Sequence, residues 1–557
     1  MYAENIEIVK VGPLRLFKAI LDRIGVIQAI NTALNWDESQ WKISPGTLIV
    51  AMMMGVFCGR RALFSLNRVY ARQDLELLFG RNDLSAEDFN DDCLGRALDR
   101  LAEADFDKIF GGIVLCAFAE YQLAAETLHA DTTSVSVYGD YASQDDDAPF
   151  ILAKGHSKDH RPDLKQFKYG LATNEDGIPV YGATLDGNQD DKTWSRSFLE
   201  YAPNLKRFMT EKTVIAADSA AMSAKSLEAI KQHRLRVVSR LPETFTLCRE
   251  LTEMAFAQGN WQPSTHTDDV KKNEAYKLQP FRAHLVNDEY SFVVVQSESL
   301  AGTKEKTIEK AVVKEAVRLE KALAAFSAKR FSSFAQAEAA WSEEAGKLQP
   351  QYHTLTCELR RFEEPLTRPR PGRPRKGEGS SLQTLYGLEG TAARDEERIR
   401  RIKDMEGTFV LFCSAPELTP SEILRAYKEQ AAIENRFRFL KDPYFVGPVN
   451  LKLPHRVQAL GYVMLMTLLI YSLFEWSVRE GLKRENEPFH VAGSYKTFRP
   501  RGETILPELD DLSIFTTQGS EGTLRQLPSN YSRRAERIIR LCGFDISIYV
   551  TPPVAAT

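Results

Sequence analysis

The chain lacks paired cysteines, an excess of positive charge and any internal repeat. Its 7 cysteines are scattered over 557 residues and form no Cys-x-x-Cys pair. This spacing argues against a zinc ribbon or a disulfide scaffold and predicts reduced thiols. The formal net charge of −4 gives no global sign of nucleic-acid binding, so any basic surface must be local. The opening residues MYAENIEIVK carry no apolar run, which predicts no secretory signal.

One long apolar run is present, from Val457 to Trp476. Its length would suffice to cross a bilayer. Polar side chains interrupt it, however, among them Gln458 and Glu475, and it stands alone in the sequence. We therefore predict a fully buried core helix and no membrane partner.

The length of the chain predicts several domains. Residues 1–123 place apolar side chains three and four positions apart, which predicts a helical N-terminal domain. Two interpretations of this domain stay open. Nearby basic residues (Arg60, Arg61, Arg68 and Arg72) suit a helix-turn-helix that binds DNA ends, whereas a generic helical or dimerising domain needs none of them.

Strand patterns begin at residue 124. The segment TLHADTTSVSVYG alternates, FKYGLAT and IPVYGATL flank a turn, and a strand–helix–strand unit follows up to residue 241. This order predicts an α/β fold with a mixed sheet. Residues 242–405 break the pattern with long charged helices and a basic linker, which predicts a large inserted α+β domain. The core resumes over 406–480, and 481–557 form a C-terminal region.

A helix with chemical character lies in the segment YKEQAAIENRFRFLKDP. Pro420 at its first position and a proline just beyond Lys441 predict one continuous helix between them. Tyr427, Glu434 and Lys441 recur every seven residues, so they would share one stripe of that helix. An acid and a cation on one stripe suit the binding of a metal-bound phosphate.

Two more carboxylates stand out by position, Asp131 within a predicted strand and Asp218 at the end of another. Strand ends of an α/β sheet face the crevice where ligands bind. Converging carboxylates repel unless cations bind between them, and oxygen ligands suit Mg²⁺ or Mn²⁺. Two such ions stabilise the attacking and leaving oxygens of a phosphoryl transfer. Taken singly, each acid fits a surface or capping role better; their order along the chain favours a metal site.

The order Asp131, Asp218, Glu434, with the spacing Tyr-x2-Gln-x3-Glu-x6-Lys around the glutamate, resembles the DDE transposases of bacterial insertion sequences. The nearest group carries a Tyr-Arg-Glu-Lys motif. The resemblance covers about 124–240 and 406–475. It implies an RNase H-like catalytic core in which the three acids bind two Mg²⁺ or Mn²⁺ ions. It further implies cleavage at terminal inverted repeats, strand transfer into target DNA, a synaptic homodimer on double-stranded DNA, and a bacterial cytoplasmic, nucleoid-associated location.

The same resemblance implies DNA contacts on the helix. Tyr427 and Lys441 would hold phosphates of the transposon end. Gln430 stands where the group has Arg, so it can hydrogen-bond a phosphate but brings no charge. Two outcomes stay open: the backbone contact is weaker, or another residue such as Arg436 or Arg438 supplies it.

Two basic segments add further candidates for DNA contacts. GHSKDHRPDLKQ contributes Lys158, Arg161 and Lys165, with an ordinary charged loop as the alternative. The linker RPGRPRK contributes Arg373 and Arg375 and looks like an AT-hook for the minor groove. It lacks an Arg directly before its Gly, so a disordered basic linker stays open.

Alternatives to a transposase also stay open. A two-metal nuclease of the same fold would cleave without strand transfer, and a domesticated, non-catalytic copy would only bind DNA. Trp194, which follows the predicted hairpin, is either a core residue or a platform for an unpaired base.

Overall fold

The computed structural model describes residues 6–58, 65–139, 141, 150–156, 161–266, 274–365, 382–442, 451–491, 493, 495–519 and 522–554. The chain forms two compact units. Unit 1 consists of Met1–Pro242, Phe412–Leu418 and Glu422–Thr557, and unit 2 of Glu243–Leu411 and Thr419–Ser421. The predicted mixed α/β architecture is confirmed.

The helices of unit 1 are numbered here in chain order together with those of unit 2. In unit 1 they are α1 (Leu14–Arg23), α2 (Val26–Ala33), α3 (Pro45–Val56), α4 (Leu66–Tyr70), α5 (Leu75–Phe79), α6 (Asp91–Ala102), α7 (Phe106–Glu120), α8 (Asp191–Tyr201), α9 (Ala224–His233), α15 (Ala431–Lys441), α16 (Pro454–Glu485), α17 (Gly502–Ile505) and α18 (Arg533–Leu541). The helix α14 (Pro420–Lys428) begins in unit 2 and continues in unit 1.

The sheet of unit 1 contains β2 (Ala125–Ser136), β3 (Gln166–Thr173), β4 (Pro179–Leu185), β5 (Met209–Ala217) and β6 (Val237–Arg240). Their order is β4-β3-β2-β5-β6, with the end of β12 (Thr408–Cys413) beyond β6. β2 pairs antiparallel with β3 and parallel with β5, and β6 is parallel to β5. This is the order of an RNase H-like core, and the predicted β3–β4 hairpin is confirmed.

The N-terminal region is helical from α1 to α7, as predicted. A short strand, β1 (Ile6–Lys10), precedes it and pairs with β15 (Ser513–Gly519), which in turn pairs with β16 (Gly522–Gln526). The partner of β1 lies near the other end of the chain, so local spacing gave no sign of this strand. A two-residue pair, β13 (Phe489–His490) and β14 (Lys496–Thr497), completes the described strands of unit 1.

The long apolar run forms most of α16. The helix is long and apolar enough to cross a membrane, yet 89% of its most apolar window is buried inside the protein. It packs against α3, α6 and β4. Phe474 packs against Phe17 of α1 with ring centroids 5.1 Å apart. The Thr467 hydroxyl donates a hydrogen bond to the Val463 carbonyl, so it is not left unpaired in the core. The helix is therefore the central core element that the sequence predicts.

Unit 2 combines helices with antiparallel strands. It contains α10 (Thr246–Gln258), β7 (Gln262–His266), β8 (Glu274–Leu285), β9 (Asp288–Ser297), α11 (Glu298–Ser327), α12 (Phe334–Leu348), β10 (His353–Pro365), β11 (Leu382–Arg394) and α13 (Glu396–Glu406). β10 and β11 form a long hairpin, and α11 lies against β11. Apolar residues of α11 such as Leu319 and Leu323 form the core beneath the hairpin.

Candidate active site

The first two predicted acids follow neighbouring register positions on two adjacent central strands of the unit 1 sheet. Ala130 of β2 is the register partner of Ala217 of β5, and Ala217 is the partner of Ser239 of β6. The next residues along these three parallel strands are Asp131, Asp218 and Arg240. Register partners in a sheet point to the same face, and adjacent strands lie about 4.8 Å apart. The fold therefore brings two carboxylates and a guanidinium into one row.

Local hydrogen bonds fix both aspartates. Asp218 caps a short 3-10 turn by accepting a hydrogen bond from the Ala220 amide at 2.9 Å, and its own carbonyl accepts one from the Ser239 hydroxyl at 2.7 Å. Asp131 accepts a hydrogen bond from the Thr132 amide at 2.6 Å. Both side chains are only partly buried, so the row is open to a ligand.

The segment with the third acid is not one continuous helix. α14 ends at Lys428 and α15 begins at Ala431, with a turn at residues 429–430. The ends at Pro420 and Lys441 agree with the sequence, but the predicted continuity is wrong. The Gln430 amide bonds to the Tyr427 carbonyl, three residues back, which marks tightened backbone at the junction. Glu434 therefore lies in the first turn of α15, and Tyr427 belongs to the preceding helix.

The phenol of Tyr427 lies within the electrostatic influence of both Asp218 and Glu434. Burial raises the pKa of Tyr427, and the negative charges of Asp218 and Glu434 raise it further, whereas Arg240 and Lys428 act in the opposite direction. These charges act on the phenol because the groups lie close together in unit 1. Tyr427 thus stays a neutral hydrogen-bonding group at neutral pH.

The carboxylate oxygens match the donor chemistry that Mg²⁺ and Mn²⁺ prefer. Asp131 and Asp218 follow register partners on adjacent parallel strands. Glu434 is exposed on α15, which packs against β2 and β3. Within the described part of the chain, however, no three His, Cys, Asp or Glu side chains are grouped closely enough to hold one ion. The structure therefore aligns two of the predicted ligands and leaves Glu434 outside a common cluster.

Arg436 is not available to DNA, contrary to the sequence expectation. Its side chain is 4% exposed and its Nη1 lies 2.6 Å from Oε2 of Glu475 on α16. Arg438 is exposed, and its Nη2 lies 3.3 Å from Oε2 of Glu503. Of the two, only Arg438 has an exposed side chain.

The other candidate DNA contacts differ in their surroundings. Arg161 is exposed and bonds to Asp163 through two nitrogens, and Lys165 donates to the Tyr141 carbonyl at 2.6 Å. Gln430 and Lys441 are partly buried. Lys158, Arg373 and Arg375 lie outside the described residues, as do the basic residues 60 and 61.

Two buried side chains support the sheet beneath the row. Trp194 of α8 is 4% exposed and packs on Phe198, so it is a core residue and the base-stacking interpretation is wrong. His129 lies two residues before Asp131 on the same face of β2 and is fully buried. Burial lowers the pKa of His129 to about 4, which keeps the ring neutral at pH 7.

Arg240 is the site residue that sequence reasoning missed. It ends the short strand LRVVSRL, a charged residue at the carboxyl end of a strand in an α/β sheet. The same positional rule that singled out Asp218 applies to it. A basic residue at a strand end is therefore a sequence signal for this site in the same way as an acidic one.

Comparison with known proteins agrees with this geometry. No curated protein matches the chain. A family model described as a domain of unknown function, DUF4277, matches residues 6–115. A second model, described as a transposase DDE domain, matches residues 126–470, well over half of the chain and all of the row and α15. The chain therefore belongs to the DDE transposase family.

Proposed function

We propose that this protein cleaves DNA at the terminal inverted repeats of an insertion sequence and joins the freed 3′ end to target DNA. Membership of the family supports a transposase acting on DNA. The observation that supports the chemistry is the placement of Asp131 and Asp218 directly after the register partners Ala130 and Ala217 on two adjacent parallel strands. Both side chains are partly exposed, so their oxygens are available to a ligand in this proposal.

The proposed ligands of two Mg²⁺ or Mn²⁺ ions are Asp131, Asp218 and Glu434. When bound, such ions stabilise the charge on the attacking and leaving oxygens of a phosphoryl transfer. Asp131 and Asp218 supply oxygens from the sheet. Glu434 supplies the third carboxylate. Its exposed side chain changes rotamer to do so, while the backbone of α15 stays packed on β2 and β3.

The remaining side chains bind and orient the DNA in this proposal. Arg240, at the end of the row, binds a phosphate oxygen next to Asp218. Tyr427 donates a hydrogen bond to the backbone, and Gln430 and Lys441 contact neighbouring phosphates. Further phosphate contacts come from Lys158, Arg161, Lys165, Arg373, Arg375 and Arg438.

The protein is proposed to act as a homodimer in the bacterial cytoplasm, at the nucleoid. Two transposon ends must be held together before both can be joined to one target, and a dimer provides one active site for each end. The helical N-terminal region, with Arg68 and Arg72 exposed near α4, is a candidate for end binding.

The test is an Asp218→Ala substitution assayed on DNA that carries the element's terminal repeats. We expect Mg²⁺-dependent cleavage to be lost while binding to the ends changes less than about threefold. Glu211→Gln, an exposed acid earlier in the same strand, is the matched control and should cleave normally. Cleavage by Asp218→Ala would contradict the assignment. Cleavage without joined products in the unaltered protein would instead indicate a nuclease.

A further inference from the structure

A buried ion pair fixes the helix that carries Glu434. Arg436, half a turn beyond Glu434 on α15, is 4% exposed, and Glu475 of α16 is 3% exposed. Their closest atoms, Nη1 and Oε2, lie 2.6 Å apart. A pair this deeply buried carries a large desolvation cost, so it persists only where its geometry satisfies both groups.

The guanidinium of Arg436 is satisfied from three directions. Nε donates to the Gly177 carbonyl at 2.7 Å and Nη2 to the Asp176 carbonyl at 3.2 Å, both in the β3–β4 turn. Gly177 has φ +76, and a Cβ there would meet Arg436 Nε at 2.7 Å, so glycine suits the turn for both reasons. One side chain thus ties α15 to the sheet and to α16.

The carboxylate of Glu475 extends the cluster to the C-terminal region. It also accepts hydrogen bonds from the Gly502 amide at 2.6 Å and from Arg479 Nη2 at 3.1 Å. Burial alone would raise the pKa of Glu475, but Arg436 and Arg479 hold it below the ordinary value for glutamate. The group is therefore charged at neutral pH, and the ion pair is intact under working conditions.

We propose that Arg436 and Glu475 are positioning residues that set α15 in the one place from which Glu434 reaches the Asp131–Asp218 pair. Neither side chain can touch DNA, because both are buried. Ile433, Phe437 and Leu440 are buried on α15, which packs against β2, β3 and α16, but apolar packing permits small slides and rotations along the helix axis. Directional hydrogen bonds to the turn and to α16 prevent them. The proposal rests on the proposed function of Glu434.

The experiment compares Arg436→Met with Arg479→Met. Both remove one cation next to Glu475, but the hydrogen bonds of Arg479 go to Glu475 on its own helix, α16, and to the Pro500 carbonyl, whereas those of Arg436 join α15 to α16 and to the β3–β4 turn. In Arg436→Met we expect the Mg²⁺ concentration for half-maximal cleavage to rise about tenfold, with end binding unchanged. We also expect faster hydrogen exchange of α15 amides in metal-free protein, with α6 and α7 unchanged. Arg479→Met should show neither effect.

A second variant separates positioning from folding. Arg436→Met/Glu475→Gln removes both charges of the pair, and the Gln oxygen can still accept from the Gly502 amide and Arg479 Nη2. This variant should therefore fold even where the single substitution does not. It should still show the rise in Mg²⁺ requirement and the faster α15 exchange. Unchanged values of both in a folded double variant would overturn the proposal. The exchange readout does not depend on cleavage, whereas the Asp218→Ala assay tests the proposed function itself.

Discussion

At one position of β3 the covering helix α8 lies so close that there is no room for a side chain. Gly170 of β3 faces Trp194 of α8, and a Cβ at position 170 would overlap the indole ring. Trp194 stacks on Phe198 with ring centroids 5.4 Å apart, so it has little room to withdraw. The glycine is therefore required by space and not by backbone conformation.

Gly170→Ala is predicted to destabilise unit 1 by about 1–3 kcal/mol, the usual cost of overpacking a filled core. Urea unfolding monitored by tryptophan fluorescence measures this change. The matched control is Gly112→Ala on α7, where an added Cβ meets nothing within 4 Å. That substitution should be neutral or stabilising by up to about 1 kcal/mol. Equal stability of the two variants would contradict the packing argument.

At the scale of elements, the sequence predicted the ends of helices and strands better than their partners. Asp218 was correctly expected at a strand end, because apolar residues before it and a polar turn after it are local signals. The turn at Glu429 and Gln430 was missed, since neither residue breaks helices by itself. The burial of Arg436 was also missed, because its partner Glu475 lies on another helix, 39 residues away. Contacts of this kind are set by tertiary packing, which local spacing does not report.

Gln430, at the α14–α15 junction, stands where the Tyr-Arg-Glu-Lys group has Arg, and substitutions here test the proposed DNA contacts. Gln430→Arg should tighten binding to transposon ends. The slope of log K against log salt concentration should become steeper by about 0.9, because one phosphate contact is added. Lys441→Ala should weaken binding and flatten the slope by a similar amount. Lys483→Ala, in the last turn of α16 and paired with Glu480, is the control. Identical slopes in all three variants would exclude these DNA contacts.

At the scale of the whole molecule, unit 2 has its own core and its own buried anchor. Glu315 of α11 accepts hydrogen bonds from the Gln351 and Tyr352 amides and from His353 Nδ1, at 2.7–2.9 Å. These bonds hold the start of the β10–β11 hairpin on α11. Glu315 therefore holds the start of the hairpin, and the apolar core around Leu319 and Leu323 holds the rest on α11.

The stability of unit 2 should accordingly fall in acid. Burial alone would raise the pKa of Glu315, but the bonds from His353 and the two amides hold it below the ordinary value. A lowered folded-state pKa adds stability above the unfolded value of about 4.3, and this contribution is lost as pH falls through the folded value. Glu315→Gln should lower the free energy of unfolding of unit 2 by about 1–3 kcal/mol at pH 7. In acid, the unfolding free energy of this variant should fall less steeply with pH than that of the unaltered protein. Hydrogen exchange in β10 and β11 measures both effects, with unit 1 strands as the internal control.

Unit 1 is built from separate stretches of the chain, so its parts are synthesised at different times. Residues 243–411 separate β6 from the end of β12 and from α15 and α16. At ~5–20 residues per second, a ribosome needs roughly 10–40 s to travel from Asp218 to Glu434. During that interval the nascent sheet has both aspartates but lacks α16, its main apolar cover. The nascent sheet is therefore exposed to aggregation until α16 has left the ribosome, and the proposed cleavage of DNA can begin only after that point.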